Sequence, residues 1–181
     1  GVPCTLIDNG MPCVVMRAVD VGAGGYESRD TLDAASDLKA RIEAIRLKAG
    51  PMMNLGDVAA KSVPKMMLVA PPRSGGAVAG RRVLPPPAPA RIGAISVRSL
   101  IPHRAHASIG VLGAVSVATA CLIGGSPAAA VAVMPDGARR LISVEHPTGE
   151  MSCVLDVDES GAVTRAALLR TARKLMDGVV F

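Results

Sequence analysis

Residues 103–123 read HRAHASIGVLGAVSVATACLI. A basic lip, His103, Arg104 and His106, runs into an apolar segment built almost wholly of small or β-branched residues. Gly124-Gly125-Ser126-Pro127 ends it. The segment has a helix's length and a helix stop, but no polar face. A helix that is apolar all round belongs in a core or a membrane. The run from Ile109 to Ile123 is shorter than the ~20 residues of a bilayer crossing, so a core is predicted. Small side chains let other backbone come close on every side. A helix start also offers unpaired N–H groups to an anion, and here cations stand beside it. The stretch predicts a buried central helix over about 106–123 whose N-terminus binds a carboxylate.

Upstream, Thr5-Leu6-Ile7 and Val14-Val15-Met16 read as two strands joined by the turn Asp8-Asn9-Gly10. A loop with Gly22, Gly24 and Gly25 leads to a surface helix over about 30–49. Its apolar positions Leu32, Leu38, Ile42, Ile45 and Ala49 recur at helical spacing. Ser28 or Asp30 is its cap, Asp37 and Arg41 pair on its outer face, and Gly50-Pro51 stops it. A strand starts at or just after Pro64. The Pro/Gly-rich stretch 71–91 is a loop, and Ile92–Leu100 alternates as a strand entering the central helix. Beyond that helix come a short strand over 128–133 and a hairpin of 140–145 with 151–157 around His146-Pro147-Thr148-Gly149. Residues 164–176 fit a helix or a strand. Strands on both sides of one buried helix, with another helix outside, give an α+β roll.

Composition narrows the partners. The chain has 181 residues, and its only Phe, Tyr or Trp residues are Tyr26 and Phe181. With no aromatic platform for stacking bases, nucleic acid is not an expected partner. The net charge of +5 is spread along the chain, which favours a small anion over a polyanion. Cys4, Cys13, Cys121 and Cys153 form no CxxC pair, so reduced thiols and a cytoplasmic protein are expected, with no membrane partner.

Each candidate site residue has two readings. His103 and His106 stand at HxxH spacing, but no third ligand is near in sequence, so no metal is expected. With Arg104 they bind a carboxylate or relay a proton, or else only cap and solvate the helix start. Ser108 bonds substrate or is the helix N-cap. Gly110 and Gly113 allow close backbone approach. Asp8 and Asn9 line a cleft or simply make their turn. Cys13 is a reactive thiol or an inert buried one. Lys65 reaches an anion or stands solvated, Arg98 is a further cation for the carboxylate, and His146 is expected at the surface, with contact to the cleft as its other reading.

The blocks LIDNGMPCVV, NLGD, VPKM, PHRAHASIGVLGAVSVATA, SVEHPTGE and ALLRTARKLMDG, in that order, resemble the PrpF-type isomerases. These are the methylaconitate cis-trans isomerases and the 4-oxalomesaconate tautomerases, related to diaminopimelate epimerase. The resemblance implies two lobes, each a mostly antiparallel sheet rolled round one central helix, with the active site between them. Residues 1–181 match the second lobe. The resemblance also implies a strand over Thr171–Leu175. It implies cofactor-free movement of a proton, and so of a double bond, in an unsaturated di- or tricarboxylic acid such as 4-oxalomesaconate or methylaconitate. His103, Arg104, His106, Ser108, Ile109 and Gly110, with Asp8 and Asn9, would hold that acid; His106 and Cys13 are the candidates for proton transfer. Related epimerases have a cysteine where this chain has Ala107-Ser108-Ile109-Gly110, and the first lobe carries a principal proton-transfer residue in related members. A missing first lobe or a second copy of the chain would complete the cleft. The rival expectation is a non-catalytic carboxylate-binding or remnant lobe.

Overall fold

The structure is a computed structural model that describes residues 1–73, 93–169 and 175–178. Its strands are β1 (Thr5–Asp8), β2 (Pro12–Arg17), β3 (Lys65–Ala70), β4 (Ile95–Ile101), β5 (Arg104–Ala105), β6 (Arg139–His146), β7 (Gly149–Val157) and β8 (Val163–Leu168). The helices are α1 (Arg29–Ala34), α2 (Ser36–Met52) and α3 (Val111–Ala120). One eight-stranded sheet runs β1-β2-β3-β4-β6-β7-β8, with β5 paired to β4. Two joins are parallel, β2 to β3 and β4 to β6. Parallel neighbours need a crossover; α1 and α2 supply the first and α3 the second.

Period-2 alternation sends neighbouring side chains to opposite faces. On one face Val15, Met67, Val97, Ile142, Val144 and Leu155 pack with Ala114, Val117 and Ala118 of α3. On the other, Val14, Met16, Met66, Leu68 and Leu100 pack with Ile42 and Ala49 of α2. β4 is therefore buried on both faces through Leu100 and lacks the half-polar character that its sequence suggested. The α+β roll is as expected: a mixed sheet with a helix of small side chains against its inner face. The approach is close enough that a Cβ at Gly113 would stand 2.8 Å from Cε of Met67.

Several boundaries differ from expectation. The central helix spans 111–120, not 106–123, and its N-cap is Gly110 rather than Ser108. The segment before it is extended or turning, so His103 and His106 do not share a helical face. The surface helix is two helices broken at Ala35, and Ser28 caps the first, accepting from Thr31 N–H. Arg41 donates to the Val21 carbonyl at 2.9 Å in place of the expected partner Asp37. Helix α2 continues through Pro51, which lies in its exposed last turn. There a missing N–H and a displaced carbonyl cost least, because water can serve the freed group. Residues 128–133 form turns, with Ala132 N–H bonded to the Ala128 carbonyl, not a strand. The ambiguous 164–176 segment begins as strand β8. The strand expected over Thr171–Leu175 lies outside the described residues except Leu175, which is in no strand. The loop expected over 71–91 lies outside them from residue 74 on.

The polar anchor of the outer layer is Arg46. It sits on the buried face of α2 with Ile42, Ala49 and Gly50, and its side chain is 0% exposed. Its guanidinium pairs with Glu43 at 2.7 Å. It also donates to the carbonyls of Val58, Lys61 and Val63 at 2.9, 3.1 and 2.8 Å. This one side chain shapes the loop that delivers the chain to β3. Arg46→Met would take this donor from the Lys61 and Val63 carbonyls, while the Val58 carbonyl keeps the Lys61 N–H at 2.9 Å. At ~1–3 kcal/mol for each unsatisfied buried group, a loss of about 2 kcal/mol or more is expected in urea unfolding. Gly50 packs under the same loop, and a Cβ there would lie 2.5 Å from Cγ2 of Val58. Overpacking against a stiff β-branched side chain costs ~1–3 kcal/mol, against ~1 kcal/mol gained in helix propensity. Gly50→Ala is therefore expected to lower the unfolding midpoint, not raise it.

Candidate functional site

Helix α3 begins without a side-chain cap. Gly110 holds extended dihedrals, φ −70° and ψ 150°, and no side chain bonds the first turn. The N–H groups of the first turn have no partner within the helix, and they carry its positive dipole end. Gly110 and the first turn of α3, through Gly113, line a cleft of about 290 Å³ together with Met11, Lys65, Met67, Ser99 and His106.

Each polar lining residue is placed by its strand. Lys65 opens β3 opposite Cys13 of β2. Ser99 lies two residues beyond Val97, on the face of β4 that meets α3. His106 follows β5, and its N–H donates to the Ser99 carbonyl at 2.7 Å. Ser108 N–H donates to Nδ1 of His106 at 2.9 Å. An accepting Nδ1 puts the proton of the neutral ring on Nε2, so His106 is a donor through that atom. Desolvation holds the Lys65 ammonium below the usual lysine range, and the neighbouring Cys13 works the other way. The cleft thus joins one cation, an imidazole donor, a serine hydroxyl and a helix N-terminus, a donor set suited to a carboxylate or an enolate oxygen.

The turn between β6 and β7 contacts the segment that leads into α3. Thr148 Oγ1 donates to the Ala107 carbonyl at 3.0 Å, and Nε2 of His146 lies 3.5 Å from Oγ of Ser108. His146 is 7% exposed, a correction to the surface placement expected for it. Burial lowers its pKa first, then the charge of Arg98, then that of His106.

The remaining candidates are scattered. Arg104 is exposed in the β4–β5 hairpin; His103 beside it is also exposed, with Nδ1 3.8 Å from Glu43 of α2. Arg98 is buried on the opposite face of β4 from the cleft and donates to the carbonyls of Glu27 and Val97 at 2.6 and 2.8 Å. Ile109 is in the core with α3. Asp8 accepts the Gly10 N–H at 2.9 Å, and Gly10 adopts φ +86°, the left-handed conformation of a tight turn. Asn9 donates to Thr119 Oγ1 at 3.1 Å, near the far end of α3. That end borders a larger groove of about 750 Å³ between the exposed flank of α3 and β8, lined by Val111, Leu112, Val115, Leu122, Val163 and Leu168 among others. Central helix α3 is therefore not buried all round: Val111 and Leu112 are 45% and 40% exposed. Among the described residues the groove's lining includes no charged side chain.

Cys13 donates to the Met11 carbonyl at 3.2 Å, and burial pushes its thiol up to about 11. Ser116 stands near enough to offset part of that rise, yet its buried hydroxyl meets the geometry of no hydrogen bond. A thiol with so raised a pKa is a poor nucleophile or base at neutral pH. Among the described residues no group of three His, Cys, Asp or Glu side chains gathers to hold a metal. No helix among them is long and apolar enough to cross a membrane.

Ser99 was missed by sequence reasoning, and His146 was placed at the surface. Both were findable by parity: Ser99 alternates with Val97, and His146 with Ile142 and Val144, all facing inward. Their polarity hid that alternation.

Comparison with known proteins agrees with the fold. The chain is 71% identical over 181 residues to the (4E)-oxalomesaconate Delta-isomerase of Novosphingobium sp. (strain KA1), covering 100% of this chain and 46% of that protein. It is 52% identical over 180 residues to the 4-oxalomesaconate tautomerase of Pseudomonas putida, of which it covers 45%. The crystal structure of methylitaconate-delta-isomerase superposes with a TM-score of 0.77 at 22% identity, covering 98% of this chain and 46% of that one. The chain thus spans about half the length of the relatives it matches. The PrpF protein family matches residues 1–181 from end to end, and the chain belongs to that family.

Proposed function

We propose that this chain is the carboxylate-holding lobe of an isomerase that moves a proton, and with it a double bond, in an unsaturated di- or tricarboxylic acid of the 4-oxalomesaconate type. The observation that carries the reading is the uncapped start of α3 opening into a cleft with Lys65, Ser99 and His106. The names of the two relatives above, an oxalomesaconate isomerase and a tautomerase, support the substrate class.

The chemistry follows from the donors. Removing a proton next to a carbonyl or along a conjugated acid leaves an enolate-like anion. Its charge is spread onto oxygen, where fixed N–H groups and an ammonium stabilise it more than they stabilise the starting acid. Here the first turn of α3 and Lys65 supply that field, and Nε2–H of His106 donates a hydrogen bond or a proton. Such acid–base chemistry needs no cofactor. Ser108 and Gly110 frame the entrance. Cys13, with its raised pKa, is not assigned the proton transfer. His103, Arg104, Asp8 and Asn9 stand outside the lining and are assigned no contact with the acid from this lobe alone. The partner lobe is either a further segment of a longer protein or a second copy of this chain, and the acid lies between the two. With these relatives and reduced thiols, a cytoplasmic site of action is part of the same proposal.

Deuterium exchange tests the reading. The purified chain incubated with 4-oxalomesaconate in deuterated water is expected to bind it, and exchange at carbon would assign catalysis to this lobe. Binding without exchange assigns it positioning only, and the absence of both overturns the proposal. Lys65→Met is expected to weaken binding about tenfold, ~1.4 kcal/mol, in isothermal titration. Arg104→Ala is expected to change it less than twofold. Because the Lys65 pKa lies below 10.5, affinity should fall as pH rises through that lowered value, and Lys65→Met should abolish this alkaline loss.

A further inference from the structure

His146 has no part in the donor set just described, and its side chain is nearly inaccessible. It lies on the inward-facing parity of β6, after Ile142 and Val144. Around it, four groups from two segments interlock. Thr148 Oγ1 gives its proton to the Ala107 carbonyl at 3.0 Å. That leaves the Thr148 oxygen able only to accept from Nδ1 of His146, 3.3 Å away. With the ring proton on Nδ1, Nε2 turns a lone pair toward Oγ of Ser108 at 3.5 Å. Ser108 then donates its hydroxyl proton to His146 while its backbone N–H goes to Nδ1 of His106. Thr148 N–H also approaches Nδ1 of His146, at the longer distance of 3.4 Å, and would require the other tautomer. The charged or titratable groups acting on His146 are Arg98, His106 and Glu150.

We propose that His146 is a positioning residue: acting through Ser108 and Thr148, it fixes the 106–110 turn so that Nε2–H of His106 and the first N–H groups of α3 point into the cleft. The inference rests on the carboxylate reading of that cleft, but its geometric core can be measured with no ligand present. It assigns the two buried-side rings opposite tautomers, Nε2–H in His106 and Nδ1–H in His146. A structural role limited to filling space would not need either.

The chain contains three histidines, so ring signals in a long-range ¹H–¹⁵N spectrum of the uniformly labelled chain can be assigned by single substitution. The expected spectrum near neutral pH has His106 and His146 in those opposite tautomers. In His146→Ala, His106 should drift to a tautomer mixture, the Ser108 amide should exchange with solvent at least tenfold faster, and mesaconate should bind about tenfold more weakly. His146→Gln keeps a side-chain amide facing Ser108 and should recover mesaconate binding to within about threefold of the parent. Unchanged His106 shifts and Ser108 exchange in His146→Ala would overturn the proposal, as would the same tautomer in both rings of the parent. Should His146→Ala fail to fold, Ser108→Ala deletes one oxygen of the same contact. A several-fold loss of mesaconate affinity supports the proposal there, and none overturns it. If the parent chain does not bind mesaconate at all, the carboxylate reading fails separately, and the ring spectrum alone decides on His146.

Discussion

A sheet that packs onto a ten-residue helix can do so only if the helix is thin. Helix α3 meets that condition with Gly113, Ala114, Val117, Ala118 and Ala120 on its buried side. Any larger side chain at these positions would push the sheet outward, because interiors are close-packed and do not absorb extra methylenes freely. The same thinness shapes the cleft. Met67 reaches across the gap left by Gly113, so the strand bearing Lys65 comes close to the helix start. The cleft is a by-product of packing: the donors meet because the helix leaves room for the strands to approach it.

Electrostatics then separates the two hollows beside α3. The larger one lies along the helix flank, and among the described residues its lining is apolar but for Asn9 and Thr119, already bonded to each other. The smaller one lies at the helix start, where the dipole is positive and an ammonium is partly desolvated. Size favours the first and chemistry the second. An anion gains nothing from apolar walls, so chemistry decides between them.

How much of this was legible in the sequence follows from what each residue's partners are. The hairpins at Asp8-Asn9-Gly10 and Pro147-Thr148 are local and were read directly, because their turn residues carry their own geometry. The central helix was recognised from its small apolar run, but its start was placed early. Ser108 has a capping side chain, yet in the fold its backbone N–H goes to His106 and its hydroxyl faces His146. Arg46 was passed over and His146 was placed at the surface for one shared reason. A charged or polar residue in an amphipathic pattern is taken as outward-facing unless its partners are known. Here the partners are backbone carbonyls a dozen residues downstream for Arg46 and a serine 38 residues upstream for His146. The lip His103-Arg104-His106 is contiguous in sequence but is divided by a strand. Backbone pairing of Arg104 with Ile101 and of Ala105 with Leu100 leaves His103 exposed beside Glu43 while His106 enters the cleft.

The thiols add a property of another kind. Cys13 lies in β2, Cys153 in β7 and Cys121 just past α3, and burial raises the three to about 11, 12 and 12. Only thiolate reacts with alkylating reagents, and at such values it is a minute fraction at neutral pH. Each of these sulfurs becomes reactive when its own segment opens. The folded chain therefore carries three internal clocks, one in each of two sheet regions and one at the helix end. Their relative labelling rates would rank which part of the roll breathes first.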